Sequence, residues 1–282
     1  MTPPLLSQIW VYPVKSMLGG TVDSGELGDN GISGDRRWAV RDLEQGGIRG
    51  AKKFGGLMKL SARYVGESEH VDIALPDGRV VNTNDPQVDD LVSAAIGATV
   101  RLEPLRPATD LDHYRRGAPG SDDMMEELRN IFGREADEPL PDFSVFPPVV
   151  MEFESPPGTY HDCWPLMIMT TSALRSLQEA LPDSVIDIRR FRPSLVIDTG
   201  EQTGHPEFSW AGKTARLGEC EIEFQSACPR CVMVTREIDA QTPADRAILR
   251  HIVRDLDQNV GVYAKVTKPG TIKSTDQLTF HS

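Results

Sequence analysis

The sequence has no run of about 18 apolar residues, the length a helix needs to cross a bilayer. Its start, Met1 to Trp10, carries neither a basic segment nor the apolar stretch of a secretory signal. Cysteine is scarce: four in 282 residues are too few to staple a disulfide scaffold. Positive charge is scarce as well. Lys and Arg number 30 against 42 Asp and Glu, a net charge of −12, whereas a general nucleic-acid binder needs the opposite balance to neutralise phosphates. The chain lacks a Gly-x-x-x-x-Gly-Lys-Ser/Thr phosphate loop and a Gly-x-Gly-x-x-Gly after a strand. It also lacks a histidine pair at metal-binding helical spacing and a Gly-x-Ser-x-Gly elbow. What is present is ordinary for a globular protein: 39% hydrophobic and 26% charged residues, with 24 Gly and 21 Pro. Collagen, a coiled coil and wholesale disorder are excluded. The expectation is a cytoplasmic acidic protein of one large domain or two ordinary ones, with no membrane span and no nucleic-acid partner.

The first hundred residues read mainly as strands. Ile9 to Val14 and Arg37 to Val40 are short apolar runs, separated by the Gly-rich stretch Gly28 to Gly34. Val71, Ile73 and Leu75 alternate with polar neighbours before Asp77-Gly78, a tight-turn pair, so a hairpin is predicted there. A helix follows, with Asp85 as cap, Pro86 at its first position and Val88, Leu91, Val92, Ala95 and Ile96 on one face. Between Thr109 and Asp142 ten acids face four arginines, and Met124 to Phe132 is a short helix candidate. This stretch reads as a solvated acidic insertion or linker, with a partner-docking arm as the sharper alternative.

The second half begins with the apolar run Pro165 to Met169. Leu174, Leu177 and Leu181 then mark an amphipathic helix capped by Thr171 or Ser172. Leu195 to Ile197, Ile222 to Phe224 and Val232 to Val234 read as strands. Thr242-Pro243-Ala244-Asp245 reads as a helix start, followed by a core face of Ile248, Leu249, Ile252 and Leu256. The tail from Val260 to Phe280 returns to strand and turn around Lys268-Pro269-Gly270.

Chemistry concentrates in Cys228-Pro229-Arg230-Cys231, directly after the expected strand Ile222 to Phe224. A two-residue gap lets two sulfurs reach one metal or form a disulfide. Zinc wants a second pair, and Cys163 and Cys220 do not form one. A redox pair wants its cysteine at a helix start, and the β-branched run after Cys231 favours a strand. Two buried small hydrophobes are the plain alternative. Arg230 weighs for a metal-ligating thiolate, because a neighbouring guanidinium favours that form. The basic residues also cluster in sequence: Lys15 beside Ser16, Arg36-Arg37, Lys52-Lys53, Arg189-Arg190 with Arg192, and Arg230. Brought together they make a cationic pocket for a phosphorylated ligand; left apart they are surface charges balancing the acids.

Four of these segments, Tyr12-Pro13-Val14-Lys15-Ser16, Gly34-Asp35-Arg36-Arg37-Trp38, Arg190-Phe191-Arg192-Pro193 and Cys228-Pro229-Arg230-Cys231, stand in the order found in MOSC-domain proteins. The chain resembles the mitochondrial amidoxime-reducing components and their bacterial relatives over nearly its whole length, the stretch 109–142 excepted. The resemblance implies a β-rich α+β fold: an N-terminal β-barrel-like domain (1–105), an acidic insertion or linker (106–145), and a MOSC β-barrel domain (146–282) with a few flanking helices. It implies a molybdenum–pterin cofactor (molybdopterin), with Cys231 as the thiolate that ligates the metal. Lys15, Ser16, Arg36 and Arg192 then hold the pterin and its phosphate. Asp162, Thr170, Arg190, Ser194 and Arg230 complete the expected cofactor-binding set. The sequence departs from the family at Ser194, where relatives carry Asn, at Pro229, often Ser, and in the acidic stretch. It also ends at Ser282 with no Cys-rich extension, which implies a separate electron-donor protein.

The function expected is a molybdenum-dependent oxidoreductase acting on small N-hydroxylated substrates. A carrier or sulfur-handling module using Cys231 is the alternative, and a metal-free binding protein a third reading. Turnover of a hydroxylamine separates the first from the second, and molybdenum retained through dialysis rejects the third.

Overall fold

The computed structural model describes residues 3–66 and 68–281. Met1 and Thr2 of the leading stretch, Glu67, and the terminal Ser282 lie outside the described residues. The fold is β-rich, with 17 strands and six α-helices among the described residues.

An eight-stranded sheet organises the molecule, in the order Leu278–Phe280, Thr214–Leu217, Cys220–Pro229, Asn259–Lys268, Leu166–Thr170, Leu195–Asp198, Leu5–Val11, Gly20–Val22. Neighbours are antiparallel except Leu166–Thr170 and Leu195–Asp198, which are parallel. A parallel pair needs a crossover connection, and the helix Thr171–Ala180 supplies it. Ile222 and Phe224 point inward with Val262, Ala264, Ile168 and Leu195; alternation shows in Cys220–Pro229, where Glu221 and Glu223 are less buried, whereas Leu166–Thr170 is buried along its whole length. Strand Cys220–Pro229 shifts register between Phe224 and Ala227 and again between Ala227 and Pro229. Such bulges bend a strand and re-aim its end. Here they deliver Cys228 and Pro229 to the loop that carries Cys231.

Three smaller sheets complete the fold: Val100–Pro104 with Trp38–Asp42 and Ile48–Arg49; Gly270–Lys273 with Ser24–Gly28 and Gly31–Ile32; and Ser61–Tyr64 with Val71–Ala74 and Val80–Asn82. The last contains the hairpin turned at Asp77-Gly78, where Gly78 takes φ 86°. The sheets cross the divisions drawn along the chain. Strand Leu5–Val11 pairs with Leu195–Asp198, and Ser24–Gly28 pairs with Gly270–Lys273.

Several local expectations are corrected. Val232–Thr235 is a 3₁₀ helix, not a strand. Its β-branched residues have no strand edge to join, so Val234 packs instead into a core with Phe191, Cys228, Leu249 and Ile252. The cap of helix Thr171–Ala180 is Thr170, whose hydroxyl accepts from the Ala173 amide. The helix Arg246–Asp255 is capped by Asp245, because Thr242 is drawn back into a turn with Asp239 and a bond from Arg189. Helix Val88–Ile96 starts after Pro86, since the Asp85 carboxylate closes a turn on the Gln87 amide first. The helix Met124–Phe132 forms as expected, capped by Asp123. The acidic stretch is open to solvent from Asp122 to Glu126, but Arg134 and Glu138, farther along the same stretch, are buried.

Candidate functional site

Three residues of the sequence motifs, Ser16, Arg36 and Arg192, hold left-handed backbone at φ 68°, 48° and 56°. Each such non-glycine residue costs about 1–3 kcal/mol and persists only where the surroundings over-determine it. The surroundings are visible. Tyr12 donates its hydroxyl to Pro193 O (3.0 Å) and its amide to Asp35 Oδ1 (2.7 Å). The Arg192 guanidinium lies 4.1 Å from the centre of the Tyr12 ring, and that of Arg36 lies 5.6 Å from it. Arg36 is ion-paired to Asp35, and Arg192 donates to Met17 O. A ring contacted by two cations and anchored to the Arg192-Pro193 turn joins the first, second and third motifs. Arg192 Nη2 is buried without a partner. Burial pushes the Arg192 guanidinium down to about 10.

Lys15 reaches the far half of the chain. Its Nζ donates to Tyr160 O (2.8 Å) and Ser155 Oγ (3.4 Å) and is ion-paired to Asp162. Lys52 Nζ sits 2.9 Å from the other oxygen of Asp162. The Asp162 side chain is 41% exposed and Lys52 partly so, whereas Lys15 is buried beneath them. Desolvation in this concave setting raises the Asp162 carboxyl, but Lys15 and Lys52 overcome it and hold the group well below the usual range. For Lys52, burial works downward while Asp162 and then Cys231 work upward, and the net direction is up. Ser16 Oγ accepts the Ala51 amide at 2.9 Å and so fixes the turn that carries Lys52. A Cβ on Gly50 would lie 2.6 Å from that hydroxyl, so this turn requires glycine.

His161 closes the Arg36 end. Its Nδ1 accepts from Arg36 Nη1 at 3.0 Å, which leaves Nε2–H to donate to Asn30 O at 2.9 Å. This is the neutral imidazole. Burial, then the Arg36 charge, push it down from 6.5 to about 3. Between those values the unfolded chain binds a proton that the folded protein refuses, so stability falls as pH drops from 6.5 toward 3. His161 should remove about 2 kcal/mol of stability between pH 7 and pH 5. In His161→Gln the amide can make both bonds without titrating, and this loss should vanish. Denaturant unfolding of both proteins at the two pH values checks it; equal losses would reject the neutral imidazole.

The Cys228–Cys231 loop lies beside this cluster. Arg230 donates through Nη2 to Phe191 O (2.6 Å) and through Nη1 to Cys228 Sγ (3.2 Å), so its guanidinium ties the loop to the residue before Arg192. Arg230 Nε is buried without a partner. Cys228 is buried, Cys231 is half-buried, and all four thiols are free. Among the described residues no group of three or more His, Cys, Asp and Glu could hold a metal, so a four-ligand protein site has no support here.

The structure thus brings together Lys15, Ser16, Arg36, Asp162, Arg192, Arg230 and Cys231. It places three other residues elsewhere. Thr170 caps its helix and donates to the buried carboxylate of Glu207 (2.7 Å), in a polar cluster with Ser172 and Thr199. Arg190 is spent on backbone carbonyls of Val185, Val234, Arg236 and Pro243, bracing the turn after Cys231. Ser194 sits inside the sheet, its hydroxyl accepting the Met167 amide at 3.3 Å. Sequence reasoning passed over Tyr12 and Asp35 as working parts, although both stand inside the motifs. It passed over His161 and Arg134, for which only three-dimensional packing gives a signal. A cleft of about 840 Å³ is lined by Asn30, Arg36, Tyr64, Glu69, Tyr160 and His161; it meets the cluster at Arg36 and does not include Cys231.

Residues 156–279 match the model of the MOSC domain, and residues 4–95 match that of the MOSC N-terminal beta barrel domain. The chain belongs to the MOSC-domain proteins that carry this N-terminal barrel domain. Within that class it is similar to mitochondrial amidoxime reducing component 2 of Bos taurus, 25% identical over 97% of this chain and 82% of that protein. Mitochondrial amidoxime-reducing component 1 of Homo sapiens is similar over the same shares at 22% identity. Among solved structures, the YUAD protein from Bacillus subtilis aligns with 100% of this chain and 97% of its own, at 11% identity and a TM-score of 0.46. No helix is long and apolar enough to cross a membrane among the described residues.

Proposed function

We propose that the protein is a molybdenum-cofactor-dependent oxidoreductase that reduces N-hydroxylated or related N-oxygenated small molecules with electrons from a separate redox protein. One observation carries the reading: the half-buried thiol of Cys231 follows Arg230, whose guanidinium binds the carbonyl preceding Arg192, and both buried guanidinium groups keep a donor without a partner, Arg192 Nη2 and Arg230 Nε. A buried N–H left unpaired costs about 1–3 kcal/mol, so such donors point to an anionic acceptor from outside the chain. A phosphorylated pterin offers that acceptor, and a thiolate suits a soft metal. The residues present fit the group. In this reading Arg192, with Arg36 behind Tyr12, holds the phosphate end; Lys15, Lys52 and Asp162 face the ring; and Cys231 ligates the metal.

When bound, the molybdenum–pterin group supplies the two-electron chemistry of oxygen-atom removal. The balance is R–NHOH plus two electrons and two protons giving R–NH₂ and water. The chain's own residues bind, orient and set the charge. The lysine-flanked Asp162 stays ionised at neutral pH and fixes both ammonium groups. The neutral His161 holds the Arg36 guanidinium in place without adding charge. Names of relatives that reduce amidoximes support the substrate class. The four free thiols fit a reducing compartment, and a cytoplasmic setting is part of the proposal. So is the division 1–105, 106–145 and 146–282, with the insertion between two halves of one cradle.

Protein expressed in a host that makes molybdenum cofactor should carry close to one molybdenum per chain and should reduce benzhydroxamic-type or hydroxylamine substrates once given an electron donor. Metal retained without turnover of any N-oxygenated compound would favour a carrier. Absence of molybdenum would reject the cofactor reading.

A further inference from the structure

The acidic segment reaches the Cys231 loop with one side chain. Arg134 follows helix Met124–Phe132 and its left-handed Gly133, and it is only 7% exposed. Its Nη2 donates to Arg230 O at 3.1 Å and to Gln258 Oε1 at 3.0 Å. Its Nε donates to Gln258 Oε1 and Pro139 O, both at 3.2 Å, and its Nη1 to Phe132 O at 2.6 Å. Every one of these acceptors is neutral. Gln258, at φ 71°, returns the contact: its carbonyl accepts the Arg230 amide at 2.8 Å.

Arg230 is therefore tied at both ends of its backbone. The carbonyl that Arg134 binds belongs to the peptide linking Arg230 to Cys231, so this bond sets the plane of that peptide and with it the direction in which the Cys231 side chain leaves the chain. The packing leaves little play. A Cβ on Gly133 would lie 2.8 Å from Leu249 and 3.2 Å from Val232, the residue after Cys231. A loop held by one hydrogen bond can pivot about it; a loop held on both faces of one residue cannot.

We propose that Arg134 is a positioning residue that latches the Arg230–Cys231 peptide and so presents the Cys231 sulfur to the metal. The inference rests on the reading of Cys231 as metal ligand. It assigns the segment 106–145 a part in the site: a planar guanidinium fork, five bonds wide, that spans Arg230, Gln258 and its own helix end.

The test compares wild type with Arg134→Met, Arg134→Lys and Gln258→Asn, all purified from a molybdenum-cofactor-producing host. Lysine keeps the charge but not the fork; asparagine tolerates the left-handed backbone but is too short to reach the guanidinium. Molybdenum loss during dialysis is followed by elemental analysis, the paramagnetic resonance signal of the partly reduced metal is recorded, and thermal melting is measured on cofactor-free protein. The expected result is loss of molybdenum about tenfold faster in Arg134→Met and in Arg134→Lys, the scale seen when groups behind a metal ligand are removed. A changed resonance signal in the remaining metal and an intermediate effect for Gln258→Asn should accompany it. A merely structural role for Arg134 would shift melting and leave the signal as in wild type, and this overturns the latch. Retention at the wild-type rate in Arg134→Lys also overturns it, since charge alone would then suffice. Should Arg134→Met fail to fold, the lysine and Gln258→Asn variants decide. Molybdenum absent from wild type, or equal in wild type and Cys231→Ser, rejects the ligand reading and the latch with it; metal bound through Cys231 with unaltered Arg134 variants rejects the latch alone.

Discussion

Replacing Cys231 by serine should strip the protein of molybdenum and of all turnover, while Cys228→Ser should keep both. The two cysteines are three positions apart in sequence and differ in everything that matters chemically. Cys228 is buried at the end of a bulged strand and accepts a hydrogen bond from Arg230 Nη1 at 3.2 Å. Serine at that position still offers an acceptor, so the cost is confined to a small packing change, about 1 kcal/mol of stability. Cys231 is half-buried, and the cationic side chains of Lys52, Arg134 and Arg230 lie within electrostatic range of its sulfur. A hydroxyl there stays protonated and is a poor ligand for a soft metal. Elemental analysis and steady-state rates of the two variants side by side provide the check. Loss of metal in Cys228→Ser with retention in Cys231→Ser would reverse the assignment, and loss in both would revive a paired role for the two sulfurs.

The second large effect belongs to Arg192, and its sign differs between binding and folding. The guanidinium is buried against Tyr12 and keeps Nη2 unpartnered. A cation in that state is a liability to the cofactor-free protein, offset only in part by the ring face and the Met17 carbonyl. Arg192→Met should therefore leave the melting temperature of cofactor-free protein unchanged or higher. Cofactor affinity should fall by about 10–100-fold, since a hydrogen bond to a charged group contributes about 1.5–3 kcal/mol. Titrating cofactor-free protein with isolated cofactor, alongside melting curves, separates the two quantities. A variant that melts far below wild type would show Arg192 to be a structural group, like Arg190 with its four backbone carbonyls, and would remove it from the binding set.

What was legible in the sequence follows a physical division. Elements decided by neighbours within a few residues were readable: the Asp77-Gly78 hairpin, the helix Met124–Phe132 and the strand-and-turn tail around Lys268-Pro269-Gly270. Elements decided by distant partners were not. Val232–Thr235 has the composition of a strand, yet the core formed by Phe191 and helix Arg246–Asp255 takes its side chains as a 3₁₀ turn. The same holds for charges. Arg192 and Arg230 stand in motifs that mark them, whereas Arg134 is one of four arginines among ten acids, and a net charge averages it away. Thr170 and Arg190 carry side chains suited to a binding site, but a helix cap and a set of carbonyls claim them first. Residue type shows what a group can bond to; only packing shows what it has already bonded to.

The crossed pairing of the sheets has a consequence for how the protein is made. Glu26 is registered against Thr271, and Leu5 against Asp198, so the first strands leave the ribosome long before their partners exist. Contacts separated this far along the chain form slowly and leave strand edges open in the meantime. Lys15 and Arg36 follow strands whose partners, Leu195–Asp198 and Gly270–Lys273, come late in the chain, so under the proposed cofactor reading loading is expected after synthesis rather than during it.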